Sequence, residues 1–379
     1  MSFDRREFLA ASLAATGLAC QRTMDQNAAA ANTGAVSKLS MPGPYPGRVV
    51  SVHHPGSIIE NQFQAEPVQQ MIDRGMMELT HAEAPVEAWR EFFEPGDVVG
   101  VKLNGAGRPY VISDAPVLHS IIRGLESAGV KRQDIVCYDR WKTAFDASGF
   151  ESWLPEGVRW TYASPKGVRI QLDMDGYDRD VFMELPLVHP DYKSEYDLSD
   201  SHPRRSYVAK FLTQDVNKMI NVPLLKHHQS AGVTLALKNM SHGLVNNVSR
   251  SHVTTTANAC GIFIPAVVDL PVIREKCILH ILDGVKGAYH GGPNAKVRDY
   301  TWAHNTMYFA TDPVSLDKVG WQAIDEKRAE MGRAPVALLK PDKDSQWLNC
   351  QVEHIEIASN FGLGVFDDEK IRVKRIDLA

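Results

Sequence analysis

The sequence predicts an α/β fold: a mostly parallel sheet with helices on both faces, which allows a split into two lobes with the site between them. Three observations predict it. Short apolar runs of strand length alternate with longer segments of helical apolar spacing over most of the chain. The stretch 97–138 reads strand, helix, strand, and a crossover of that length joins parallel neighbours. The composition is that of a folded body: 379 residues, 44% hydrophobic and 23% charged, with 27 Gly and 21 Pro, enough chain for a large core without disulfides.

Three regions follow from composition. Residues 1–20 read MSFDRREFLAASLAATGLAC, a paired-arginine start before an apolar run too short to span a bilayer, which is a targeting segment and not part of the fold. Residues 21–46 carry the small, polar and Pro/Gly character of a linker. The α/β domain occupies 47–379.

Within it, 48–54 is a strand, and 67–80 and 85–93 are helices by their spacing. The buried strand 97–104 follows a Pro-Gly turn, 115–128 is an amphipathic helix stopped by Gly129, and 134–138 is the next strand. Two strand-like stretches flank Gly176 within 174–188, the pattern of a hairpin inserted into the main sheet. Residues 206–213 read as helix, 218–224 as strand and 233–240 as helix. A long apolar helix interrupted by Pro265 and Pro271 covers 254–276. Strands at 278–282 and 306–310 and helices at 313–331 and 347–359 complete the domain.

Forty-one Lys+Arg against forty-six Asp+Glu leave a net charge of -5, too balanced for a nucleic-acid binder that works through a basic surface. Beyond Cys20, the cysteines 137, 260, 277 and 350 stand alone, without a Cys-x-x-Cys pair. They read as small buried hydrophobes, and the chain holds no iron–sulfur motif.

Candidate chemistry concentrates in 221–252, NVPLLKHHQSAGVTLALKNMSHGLVNNVSRSH. Lys226, His227 and His228 follow directly on a strand end, where open α/β sheets collect ligands. Lys238 lies between Leu237 and Asn239, and a core helix has little use for an ammonium there unless it meets an anion or a cofactor. Lys102 and Asn104 end the strand 97–104, and Arg108 follows in the next loop. After the strand 278–282, Asp283, His290 and Gly291-Gly292 could approach a ligand. Lysines and an arginine at strand ends suit an anionic ligand, and histidines add proton-transfer or metal-ligand capacity. Plainer roles stand beside these: His227 and His228 as loop caps, His242 as a helix-end residue, Asp312 as the N-cap of the helix 313–331, and Asp317 on a solvated helix face.

The first segment resembles a twin-arginine export signal through Arg5, Arg6, Phe8 and Leu9, and Leu18-Ala19-Cys20 resembles a lipobox. These resemblances imply export by the twin-arginine translocase to the periplasm or the outer membrane face, with Cys20 as a lipidation candidate. The segments VGVKLNG, NVPLLKHHQSAGVTLALKNMSHGLV, HILDGVKGAYHGGP, ATDPVSLD and IASNFGLGV resemble the domain-of-unknown-function 362 family, whose Lys-x-His…Thr-x-x-x-Lys-Asn element is carried by Lys226, His228, Thr234, Lys238 and Asn239. Many members are joined to ferredoxin domains, which implies an iron–sulfur redox partner. The run from His228 through Ala231-Gly232 to Lys238, with His252 beyond, is similar to the lactate-racemase family that uses a nickel-pincer nucleotide. That similarity implies Lys238 as cofactor anchor, His228 as acid/base and His252 as metal ligand. This chain departs from it at Asp139-Arg140-Trp141 and at Leu235-Ala236.

The expectation is an exported protein binding an anionic, phosphorylated or metal-containing cofactor or ligand for proton or hydride transfer on a small hydroxy- or oxo-compound. Here Lys102, Asn104, Arg108, Thr234, Lys238 and Asn239 bind, Lys226 and His228 act, and His252 holds a metal. An envelope redox accessory and a non-catalytic ligand-binding lipoprotein are the alternatives.

Overall fold

A computed structural model of the chain describes residues 37–192, 200–252, 257–338 and 350–379. The export signal expected at 1–20 with Cys20, the first part of the expected linker, and the starts of the helices expected at 254–276 and 347–359 lie outside the described residues. Among the described residues no helix is long and apolar enough to cross a membrane.

β1 (Arg48–His53) opens the domain, followed by a small ribbon of β2 (Ile58–Ile59) and β3 (Gln62–Phe63). Helices α1 (Ala65–Thr80) and α2 (Pro85–Arg90) lead into β4 (Val99–Lys102), α3 (Ala115–Ser127) and β5 (Ile135–Tyr138). Then come α4 (Lys142–Ser148), β6 (Arg159–Thr161), β7 (Tyr177–Glu184), β8 (Arg205–Ala209), β9 (Lys218–Asn221), β10 (Leu224–His228) and β11 (Gly232–Val233). The chain continues through α5 (Leu235–Leu244), α6 (Cys260–Val268), α7 (Pro271–Lys276) and the long β12 (Cys277–Ala288). β13 (Thr301–Ala310), α8 (Pro313–Glu330), α9 (His354–Asn360) and β14 (Arg372–Asp377) end it.

One mixed, largely parallel sheet organises these elements in the order β14-β1-β13-β12-β9-β4-β5-β6, with β10 and β11 joined through β12. As expected from the strand–helix–strand reading, β4 and β5 pair in parallel with α3 between them. Side chains alternate across the sheet as the pleat requires. In β5, Ile135 and Cys137 enter one core with Met71, Trp89 and Ile121, while Val136 and Tyr138 enter the other with Leu237, Phe263 and Ile355. Helices therefore cover both faces, and the α/β expectation holds. A division into two lobes is not shown, because this single sheet runs through both cores.

Several local expectations change. Residues 206–213 form β8 and a single wide turn instead of a helix. Ser206 to Ala209 are all buried, and β8 pairs antiparallel with β7, including Phe182 opposite Tyr207. The expected hairpin in 174–188 is thus one strand whose partner is β8, outside the main sheet. The apolar stretch to Lys276 breaks at Pro271, which starts α7, whereas Pro265 stays inside α6. β12 runs past the expected 278–282 through Asp283 and Lys286, because β10 and β13 bond to it on either side. β14 is exposed and charged, and carried no strand pattern. Cys137, Cys260, Cys277 and Cys350 are free thiols, the first three buried.

Candidate functional site

In parallel sheets a crevice opens at the carboxyl ends of strands where the chain's direction of travel across the sheet reverses. β4 leads outward to β5 and β6, and the later β9 returns to the other side of β4. Lys102 at the end of β4 is paired in register with Asn221 at the end of β9 and with Tyr138 at the end of β5. A cavity of about 310 Å³ lies there, walled by Lys102, Asn104, Lys226, His228, Thr234 and Lys238, with Asn239 and His252 also on its wall. That volume sits at the lower end of the range for small-molecule pockets.

The β9–β10 segment supplies Lys226 and His228 by running alongside β12 for most of its length, with an irregularity after Leu224. Turning through β11, the chain enters α5 by a strained start: Leu235 has φ 40°. The helix begins there because a distant carboxylate fixes it. Asp317 accepts hydrogen bonds from the N–H groups of Ala236 (2.6 Å) and Leu237 (2.9 Å). The expectation of a solvated Asp317 is corrected: it is buried, capping α5 from α8. Asp312 is an N-cap as expected, accepting from Val314 and Ser315 N–H. At the other end of α5, Gly243 lets Lys102 pass. A Cβ there would stand 2.4 Å from Lys102 Cε.

An amide ladder fixes the floor. Lys226 Nζ donates to Asn104 Oδ1 (3.1 Å), Asn104 Nδ2 to Asn239 Oδ1 (2.9 Å), and Asn239 Nδ2 to Asn221 Oδ1 (2.7 Å). Asn104 and Asn239 thus spend their amides on one another and on Lys226. Lys102 pairs with Asp139 at 3.1 Å and also donates to the Leu103 carbonyl. Lys238 is buried, and no hydrogen-bond acceptor meets its ammonium among the described residues. The buried Thr234 hydroxyl likewise lacks a partner.

The electrostatics follow from this geometry. Of the charged side chains on the wall, Lys102, Arg140, Lys226 and Lys238 face one carboxylate, Asp139. Burial, then the neighbouring Lys238, pulls Lys226 down to about 7. Burial pulls Lys238 down to about 8. Lys102 is also lowered by burial, against the pull of Asp139. A buried ammonium without a counter-ion is costly, and an anion in the cavity would relieve Lys226 and Lys238 together.

His228 has a defined tautomer. Its Nδ1 accepts from the backbone N–H of Ser230 and Ala231, both at 3.2 Å. An unprotonated Nδ1 leaves the proton of a neutral ring on Nε2. Burial holds His228 well below the usual histidine range, so at neutral pH the ring is an uncharged N–H donor. His252 is half-buried, its ring stacked on that of His228 at 5.6 Å and edge-on to that of His242 at 5.0 Å. Among the described residues, no group of three His, Cys, Asp or Glu side chains could hold a metal ion.

Arg108 is the cofactor-binding candidate that the fold uses otherwise. Its Nη1 donates to the carbonyls of Gly105 (2.6 Å) and Ala144 (3.1 Å), bracing the loop instead of joining the cavity wall. Asp283 and His290 are buried away from the wall, while Pro293 and Asn294, just past the glycine pair, reach it. Reading the sequence did not assign Asp139, Arg140 and Gln171 to the site. Asp139 and Arg140 follow β5 at its carboxyl end, the position that singled out Lys102 and Asn104. Arg140 donates to Gln171 Oε1 (2.6 Å) and to the His242 carbonyl (3.2 Å), tying the wall together.

Fold and cavity define an α/β protein with a cation-rich crevice at the carboxyl edge of its sheet. The family described as "Domain of unknown function (DUF362)" matches residues 99–322, and the chain belongs to that family. A crystal structure of a protein from Thermotoga maritima is similar at 12% identity with a TM-score of 0.31, over 62% of this chain and 54% of that one. The chain spans about half the length of that solved protein. No curated protein matches the chain.

Proposed function

We propose that this is an exported protein whose cavity binds a small anionic ligand or cofactor and supports proton transfer on a small hydroxy- or oxo-compound. The observation that carries the reading is the charge imbalance: four cationic side chains and one carboxylate on the wall, with Lys238 lacking any hydrogen-bond partner among the described residues. The roles divide by chemistry. Lys238 and Lys102 hold the anion, His228 donates from Nε2 to a ligand oxygen, and Lys226, whose amine titrates near neutrality, moves a proton. Export rests on Arg5, Arg6, Phe8 and Leu9.

Oxalate tests the reading, being a compact dianion without a reactive carbonyl. Calorimetry is expected to show binding that is strongest below pH 7 and weakens above pH 8, since the anion prefers charged amines and Lys226 and Lys238 lose their protons near 7 and 8. Lys238→Met is expected to abolish oxalate binding while raising the unfolding free energy by on the order of 1–3 kcal/mol, read as a higher melting temperature, because a thioether replaces an unpaired buried charge. Absence of oxalate binding to the wild-type protein overturns the proposal.

A further inference from the structure

The arrangement around Lys226 goes further than anion binding. Its side chain is fully buried on the cavity wall, and its one hydrogen-bond partner among the described residues is Asn104 Oδ1 at 3.1 Å. That oxygen is itself fixed, accepting also from Ala106 N–H at 3.0 Å, while the amide nitrogen of Asn104 is committed to Asn239. The amine is thus held in place without being neutralised by a carboxylate.

We propose that Lys226 is a nucleophile that forms an imine with a small 2-oxo acid, whose carboxylate is held by the ammonium of Lys238 and whose carbonyl oxygen receives the His228 Nε2–H. The inference rests on the anion-binding reading above and names its substrate class. Two amines in one cavity cannot both stay charged at low cost, and the one that loses its proton first becomes the nucleophile. Burial and the charge of Lys238, with smaller contributions from Lys102 and Arg108, favour the neutral form of Lys226, and Asp139 opposes them. Lys238 keeps its proton to higher pH, so near neutrality the pair divides into a free amine and an anion clamp. The His228 tautomer fits this division, because two backbone N–H groups donate to Nδ1, with the Ser230 hydroxyl beside them at 2.9 Å, and leave a donor on the other ring nitrogen.

The step balances without an oxidant or reductant. The Nζ lone pair attacks the carbonyl carbon and the C=O π pair moves to oxygen. Both amine protons then leave with that oxygen as water, and C=N replaces C=O. A carbanion next to the imine carbon is stabilised once the imine takes up a proton, which makes proton exchange or carbon–carbon bond chemistry at that position the reaction class that follows.

The test is borohydride trapping on the intact protein with pyruvate as probe, followed by peptide mass mapping, alongside calorimetry with oxalate. One reduced adduct per chain is expected, located on Lys226, suppressed by excess oxalate, and rising with pH through a midpoint near 7 where an ordinary lysine responds above pH 10. Lys226→Met is expected to lose the adduct. Because the native map locates the adduct without any variant, misfolding of that variant does not weaken the test. An adduct on Lys238, or spread over surface lysines, overturns the inference. Oxalate binding with no pyruvate adduct overturns the imine and leaves the anion reading standing; failure of both ends both.

Discussion

Single side chains in this protein are held in protonation states that water would not give them, and Asp283 shows the consequence for stability. It is fully buried on β12, with Oδ2 lacking a partner among the described residues, and burial, reinforced by Asp114, pushes its carboxyl up to about 8. The folded state thus keeps a proton that the unfolded chain, ionising near 3.8, gives up. The stability this proton confers is complete below about pH 4 and is lost progressively as pH rises to 8. Asp283→Asn removes that slope. Chemical denaturation is expected to find the variant more stable than wild type at pH 8 by on the order of a few kcal/mol, with the difference shrinking toward pH 4. At this scale the sequence was informative where a charge interrupted an apolar run. Lys238 stands out for that reason and Lys226 for its place at a strand end, and both reach the cavity. It was misleading where a polar residue had an invisible distant partner: Asp317 looks like a solvated helix position, yet its partners lie about eighty residues away at Ala236 and Leu237.

At the scale of elements, α5 depends on that carboxylate. Two N–H groups in its first turn have Asp317 as acceptor, and the same turn carries the positive φ of Leu235. Asp317→Ala is expected to cost about 1–3 kcal/mol in urea unfolding, the penalty for leaving buried donors unpaired, and to weaken oxalate binding in the surviving native population because Lys238 lies on this helix. Strands whose side chains alternate or run apolar, such as β1, β4 and β5, were legible from their residues. β8 was not, because its buried run has no helix-excluding residue and only pairing with β7 makes it a strand. β14 was hidden for the opposite reason. An edge strand needs little apolar content, and Arg372–Asp377 is held by its parallel register with β1.

For the whole molecule, sheet order decides which loops meet, and no local pattern encodes it. The alternation of strands and helices implied an α/β layering, but the return of β9 to the side of β4 is what sets Lys226 beside Asn104 across 122 positions of sequence. The destination of the folded chain is a separate, testable matter. In a host with twin-arginine transport, the full-length protein is expected in the periplasmic or membrane fraction, and Arg5→Lys with Arg6→Lys is expected to retain it in the cytoplasm with its oxalate affinity intact. The ladder from Lys226 through Asn104 and Asn239 to Asn221 ties together stretches 122 and 135 positions apart in sequence. Such remote closures come late, after loop entropy has been overcome. A captured guest would then act as a latch on maturation, rewarding only chains that have finished assembling and slowing their reopening.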